Sequence, residues 1–581
     1  MRGARNERRG NLILSNDTIF MVDLKNLQQI TKEGLELLKK EKGLIEGVVY
    51  ASANERTIGR IVYTTHLPSS GLLEPKSDSD YGVSVEMWFE KNGKKLLGMG
   101  HEANDLSIDG VARAIEKVGR DAVEDTDFSG FLKREDLPKN KIPPTPFNKG
   151  GELKNTTIAG AGFQPGPKCS GASYKLAPAG ERFPSLLKRG QGRFTQLTQR
   201  AESELIVKLG WETIEGAVDA LSEYVKRNKL DIDKLSFILN GDNFIIKERM
   251  ALATTTGIVD SDETFLVLSF ITAMLEKDNS KGSAWGAKTL PGADYSAYEF
   301  GKRAALSAIN GVGGKRIKSG KYRVIFGHQA VTELFGSLYS PHVNLGMVEL
   351  GASIFNGKYG EQVASKLLTI YDDATLPSGA GSKRITCEGY PTGKTMLIDS
   401  GKLVGYMSDT RTRNKILGKR ERGKQVLGVD PHEIRQAIDP RNGFRFARGG
   451  GRVAGASVGI HATNLVVDSP KPVTTDKLLK EVGEGIFIGR LWYTYPIGGY
   501  SSGIITGTTI AECYTIKNGK LADPILPNTL RLEDNIGEIA RNIIGVANNQ
   551  MPTILWASDE ITHAPWVGIE NVQFHAINEG K

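Results

Sequence analysis

Between Leu44 and Asn104 the chain alternates apolar and polar residues through LIEGVVYASANE, GRIVYTTHL and YGVSVEMWFEKNGKKLLGMGHEAN, all rich in Val, Ile, Tyr and Phe. A period of two commits such runs to strands with one face on a core. Asn92-Gly93 interrupts the last run and is the favoured dipeptide of a two-residue hairpin turn. On the N-terminal side, LQQITKEGLELLKKEKG places Leu27, Ile30, Leu35, Leu37 and Leu38 mostly along one side of a helix that Gly43 ends. On the C-terminal side, LSIDGVARAIEKVGRDAVED reads as a helix with Ser107 as its N-cap. Helix, strands and helix together predict an α+β domain built on an antiparallel sheet.

The chain has 581 residues, too many for one hydrophobic core. The first 16 residues read as a flexible basic tail, and the N-terminal α+β domain as 17–320. Within it, 137–192 is a Pro/Gly-rich insertion containing Cys169. Order resumes with the helix GWETIEGAVDALSEYVKRNKL. Strands follow, with Asn240-Gly241-Asp242-Asn243 read as a turn between them and SKGSAWGAKTLPG as an exposed loop. The segment YSAYEFGKRAALSAING is a further helix closed by Gly311. From 321 to 577, short strands separated by turns every ten or so residues predict a β-rich domain.

Three cysteines, Cys169, Cys387 and Cys513, lie far apart, which excludes a disulfide scaffold and a Cys-rich zinc module. The longest apolar run, Phe265 to Leu275, is too short to cross a bilayer as a helix. No secretory signal is evident at the start, and a cytoplasmic location without membrane contact is expected. No GxSxG elbow and no Walker pattern occurs. Asp372-Asp373 and Glu388 are read as turn chemistry. Net charge is +8, and residues 411–455 alone carry twelve Lys/Arg against four Asp/Glu. That segment reads as a basic loop, either merely solvated or a footprint for a polyanion such as nucleic acid.

Several stretches in order along the chain resemble the TldD/PmbA family. They are GVSVEMWFEKNGKKLLGMGHEANDLSIDGVARAIEKV, ERMALATTTGIVD, YRVIFGHQAVTELFGSL, TIYDDATLPSG, CEGYPTGKTMLIDSGKLVGYMSD, HATNLVV and GTTIAECYTIKNGKLADPILPNTLRLEDNI. The resemblance implies an N-terminal α+β domain, a C-terminal β-rich domain, and dimers enclosing a cavity for extended peptide. It also implies, for active members, a HExxxH motif with a distal cysteine on zinc. There the metal acidifies a bound water and the Glu is the general base.

On this chain that motif falls on HQAVTE, residues 328–333. His328 matches the first ligand, Gln329 stands at the general-base position, and Glu333 stands at the second ligand. An amide cannot take a proton from water, whereas a carboxylate can bind zinc. Residues five apart point about 140° from each other on a regular helix, so convergence requires an irregular turn. The distal cysteine is missing from WASDEITH, residues 556–563, where His563, with Asp559 or Glu560, is the candidate replacement. Cys513 is expected to be a buried thiol. The candidate metal ligands are thus His328, Glu333 and His563, with zinc expected in a partner chain or weakly here. The pattern resembles the PmbA/TldE branch, implying a non-catalytic subunit that pairs with a TldD-like, metal-bearing partner for proteolysis of unfolded or modified peptides. The alternatives are an independent divergent metallopeptidase and a protein that binds a polyanion through 411–455.

Overall fold

The computed structural model describes residues 23–67, 70–138, 199–276, 280–289, 296–377 and 379–577. The 1–16 tail and the Pro/Gly-rich stretch from 139 onward, with Cys169, lie outside them. The architecture is α+β, with a helix-covered sheet in the N-terminal part and a β-rich C-terminal part.

The alternating runs form an antiparallel sheet. Strand Leu44–Thr64 lies between Lys76–Lys91 and Phe237–Thr254; Lys94–Ala103 and Val123–Glu124 extend one side, Val259–Leu275 and Ser280–Thr289 the other. Asn92 and Gly93 both take positive φ (54° and 74°), the conformation that matches a tight turn to the twist of its strands. Alternation sends Val49, Ala51 and Ala53 to one face, where they pack under helices Leu24–Leu38 and Ile108–Asp121. The Ser107 hydroxyl caps the second of these by accepting from Gly110 N–H at 3.0 Å. Helices Gln199–Asn228 and Ala297–Asn310 cover the rest of the same face, over Phe237, Leu239, Ile271 and Ala273. These two helices cross closely: a Cβ on Gly301 would sit 1.8 Å from the Thr213 carbonyl oxygen.

Two expectations change here. Asn240–Asn243 is no turn but part of Phe237–Thr254, paired on both sides, with Asp242 bonded to Arg60 across the strands at 2.8 Å. Gly241 is there for close approach, because a Cβ would lie 2.1 Å from the Phe270 carbonyl oxygen. Likewise SKGSAWGAKT forms the edge strand Ser280–Thr289, with Trp285 buried. Pairing with a long neighbour overrides local turn propensity in both places.

The opposite face of the sheet is buried against the C-terminal part. Tyr50, Met250 and Leu252 meet Ile385, Cys387, Tyr390 and Phe444. Further along, Ile246, Leu268, Phe270 and Trp285 meet Ala380, Ile554 and Ile561. The C-terminal part holds two sheets. One runs Lys402–Leu403, Lys394–Asp399, Thr369–Asp373, Asn464–Asp468, Ile561–Ala564, Met551–Ile554. In the other, Gly485–Pro496, Gly320–Phe326, Val567–Ala576, Leu530–Asn535 and Ile504–Lys517 pair in sequence, and the last pairs back with the first, closing a small barrel.

The 411–455 segment is not a loop throughout. It forms helices Thr410–Gly418 and Arg420–Leu427, and its cations are largely matched. Lys415 pairs with Asp127 and Glu349, Lys419 with Asp127, Arg420 with Asp430, and Arg445 with Glu86. Arg452 is fully buried between the two halves. Its guanidinium donates to Glu248 at 2.5 Å and to Asp262 at 2.9 Å, and Lys383 approaches Glu248 at 3.3 Å. Burial alone would raise the Glu248 carboxyl, but Arg452 and Lys383 outweigh it and hold the group at about 2.

Asp372 is not a turn residue, whereas Glu388 sits in a turn closed by the Gly389 N–H on the Thr386 carbonyl, and Asp373 accepts from Thr375 N–H at 2.9 Å in the turn that follows its strand. Asp372 lies buried within strand Thr369–Asp373, accepting from Asn442, Thr463 N–H and the Thr463 hydroxyl. Glu388 accepts from Thr410 N–H, and burial raises its carboxyl well above the usual range. Both hold segments together inside the fold.

Two outcomes are expected from this packing. Gly301→Ala forces the helix pair apart and costs about 1–3 kcal/mol in chemical denaturation, as overpacking does. Arg452→Met leaves two carboxylates buried without their cation and costs about 3–5 kcal/mol. Glu248 binds fewer protons folded than unfolded, so the stability it contributes is present above the ordinary carboxyl range and is lost as pH falls toward about 2. Urea midpoints measured from pH 6 down to pH 2 should fall most steeply in that window for the unsubstituted chain and less steeply for Glu248→Gln.

Candidate functional site

Strand Gly320–Phe326 sits inside the barrel between Gly485–Pro496, which is parallel to it, and Val567–Ala576. At Gly327 the chain turns into a short helix, His328–Val331, that continues as a π-helical stretch, Thr332–Tyr339. Gly327 is required by contact: a Cβ would lie 2.9 Å from the Phe487 ring and 3.1 Å from Gly489 Cα. The irregular turn that the 328–333 spacing demands is therefore present, and π-helical turns often mark functional sites.

The side chains on that turn are separately engaged. His328 Nε2 donates to the Asn549 carbonyl at 2.8 Å, leaving Nδ1 with the lone pair. Burial, with Arg303 nearby, pushes its imidazole down to about 4, so it is neutral at ordinary pH. Gln329 is buried and its amide donates to the Ile554 carbonyl at 3.0 Å, tying the helix to strand Met551–Ile554. Glu333 accepts from the Thr494 hydroxyl at 2.5 Å, and burial raises its carboxyl against the opposing pull of Thr494 and Arg490.

The candidates from the last strands are engaged elsewhere. His563 Nε2 faces Asn464 Oδ1 at 3.4 Å, and burial lowers its ring to about 4. Asp559 accepts from Gly449 and Gly451 N–H, both at 2.8 Å, with burial raising it to about 7. Glu560 accepts from His461 Nδ1 at 2.8 Å. Cys513 is buried in the barrel, and burial pushes its thiol up to about 12, far from thiolate. Among the described residues, no group of three or more His, Cys, Asp or Glu is placed to hold a metal ion. The donor set among the described residues does not fit a catalytic zinc: the base position holds an amide already committed to a carbonyl, and none of them joins His328 and Glu333 as a third ligand.

What the turn does border is a cavity of about 630 Å³. Its walls come from strand Ser280–Thr289, helix Ala297–Asn310, the start of the 328–339 helix, strand Met551–Ile554 and the barrel. Trp285, Phe487 and Trp566 supply aromatic surface; Arg303 and Glu512 supply opposite charges. Beside it, Arg490 stacks on Trp285, with its guanidinium carbon 3.7 Å from the ring centre, and its charge is felt by both Glu333 and Glu512. Burial lowers Arg490 to about 10, partly offset by those two carboxylates. Sequence reasoning did not single out Arg303, Arg490 or Glu512. The one signal available was the pair of Gly489 beside Arg490 in one strand and Glu512 in a second, and only the barrel register brings them together.

Residues 319–576 match the PmbA/TldA metallopeptidase C-terminal domain. A metalloprotease of Methanothermobacter thermautotrophicus is 23% identical over 344 residues, 58% of this chain and 64% of that protein. A metalloprotease TldD homolog of Buchnera aphidicola is 27% identical over 303 residues, 49% of this chain and 55% of that protein. The chain thus spans 64% and 55% of the lengths of these two curated relatives. The crystal structure of TldE from Thermococcus kodakarensis superimposes with a TM-score of 0.64 at 14% identity, covering 95% of this chain and 100% of that one. Residues 319–576 thus carry the C-terminal domain of the PmbA/TldA metallopeptidases, and the fold of nearly the whole chain is that of the TldE structure.

Proposed function

We propose that this chain is the non-catalytic, PmbA/TldE-like subunit of a zinc metallopeptidase complex, and that a TldD-like partner supplies the metal and hydrolyses unfolded or modified peptides. The observation that carries this reading is Gln329, whose amide occupies the position of the general base and is bonded to Ile554. An amide there cannot accept a proton from water, and its hydrogen bond gives it a structural task instead.

The peptide part of the proposal draws on two sheet edges that border the cavity. Among the described residues, strand Met551–Ile554 pairs with Ile561–Ala564 alone and Ser280–Thr289 with Val259–Leu275 alone. Gln329 takes the Ile554 carbonyl, and an extended peptide added as a strand would use the edge groups that remain beside the aromatic walls. The dimer part draws on the hairpin of Gly485–Pro496 and Ile504–Lys517, where Trp492, Tyr493, Tyr495 and Ile504 are all exposed. Apolar side chains grouped in this way mark association surfaces. No helix among the described residues is long and apolar enough to cross a membrane, and a cytoplasmic site of action is part of the same proposal. The polyanion reading loses its support because much of the 411–455 charge is spent on Asp127, Glu349, Asp430, Glu86, Glu248 and Asp262.

The chain purified alone is expected to carry far less than one zinc per molecule by elemental analysis and to leave an unfolded casein substrate uncut. Gln329→Glu should not create activity. It should instead lower stability by about 1–3 kcal/mol, because a carboxylate then faces the Ile554 carbonyl and the donor is gone. One zinc per chain together with chelator-sensitive hydrolysis by the chain alone would overturn the proposal.

A further inference from the structure

Arg303 and Glu512 line the same cavity, yet neither has a charged partner in contact among the described residues. Arg303 Nη1 meets only Met551 Sδ, at 3.1 Å, and a thioether is a weak acceptor. Glu512 faces the Ser307 hydroxyl and feels the charge of Arg303 without an ion-pair contact, and its backbone is strained. Its φ is +54°, a left-handed value that a non-glycine residue rarely adopts. Gly489 lies opposite, and a Cβ there would come within 2.4 Å of Glu512 Cβ, so the pairing strand must carry glycine for Glu512 to take this pose. Strain of this kind costs of order 1–3 kcal/mol and gathers where a side chain is aimed for a purpose.

A guanidinium and a carboxylate in one cavity that do not close on each other leave a slot with a positive and a negative end. The cavity volume of about 630 Å³ falls within the range of about 300–1,000 Å³ usual for small-ligand sites. Trp285, Phe487 and Trp566 form apolar walls beside the two charges.

We infer that this cavity binds a short unblocked peptide as a zwitterion, with its carboxylate on Arg303, its ammonium on Glu512 and an apolar side chain against the aromatic walls. The inference deepens the peptide-handling role proposed above and rests on it for biological sense. Its chemistry is separate, since it assigns to this chain its own site for peptide ends. Charge-assisted hydrogen bonds at both ends would select free termini over internal segments of a longer chain.

The test is isothermal titration of the full chain with the tripeptide Ala-Ala-Phe in four forms: unblocked, N-acetylated, C-amidated and doubly blocked. The unblocked form is expected to bind, with each single block weakening it tenfold or more. In Arg303→Gln the acid and the amide should bind alike while the N-acetyl block still matters. In Glu512→Gln the amine and the acetyl forms should bind alike while the C-amide block still matters. Glutamine preserves the shape at each site, and the Arg303 arm decides the carboxylate assignment even where the Glu512 variant folds poorly. Equal affinity for all four forms would overturn end recognition while leaving the subunit reading intact, and binding of none would overturn the site altogether. A finding of zinc-dependent hydrolysis by the chain alone removes the subunit reading without touching this outcome.

Discussion

One buried guanidinium joins the two halves of this protein. Arg452 has no solvent access, and its partners Glu248 and Asp262 come from two adjacent strands of the N-terminal sheet. Around it the backbone wraps tightly. Gly451 takes φ +77°, and a Cβ on it would lie 2.4 Å from a Glu248 oxygen. Asn54 donates to the Gly450 and Arg452 carbonyls, and Ser52 accepts from Ala454 N–H. Charge burial of this kind is weak as a source of stability but strict as a specifier of geometry when every partner is in place. Here it fixes which face of the sheet meets the C-terminal part. With that face fixed, strand Ser280–Thr289 and helix Ala297–Asn310 arrive beside the barrel, and the cavity exists only because they do.

The site then follows from barrel register. Strand Gly320–Phe326 delivers the 328–339 helix to the cavity, and the parallel strand beside it delivers Phe487, Gly489 and Arg490. Ile488 pairs with Cys513 and Arg490 with Ala511, so Glu512 falls opposite Gly489, where its left-handed pose is tolerated. The polar groups of the 328–333 turn serve bonds within the fold: Gln329 anchors an edge strand, His328 satisfies the Asn549 carbonyl, and Glu333 is bonded to Thr494.

Much of the fold was legible because it rests on local rules. The alternation of 44–104, the Asn92-Gly93 turn, the Ser107 cap and the Gly311 end of its helix all appear where their residues imply. Three of the errors share one cause. Asn240–Asn243 and SKGSAWGAKT look like turns because of their glycines, but those glycines permit close contact with Phe270, Phe300 and the 297–310 helix. Gly449 and Gly451, in the segment read as a basic loop, instead admit the buried carboxylates of Glu248 and Asp559. A glycine needed for approach and a glycine needed for bending are indistinguishable in one sequence. At the site, His328, Gln329 and Glu333 could be placed from motif spacing, whereas Arg303, Glu512 and Arg490 belong to three separated segments with no shared pattern.

Burial sets the protonation of the polar groups at this turn. At this turn burial itself neutralises: it lowers His328 to about 4 and raises Glu333. The positive charge felt by Glu333 comes from Arg490, a cation braced on Trp285, and that felt by Glu512 comes from Arg303 first and Arg490 second. Arg490 lies beside the cavity wall and adds to its polarity.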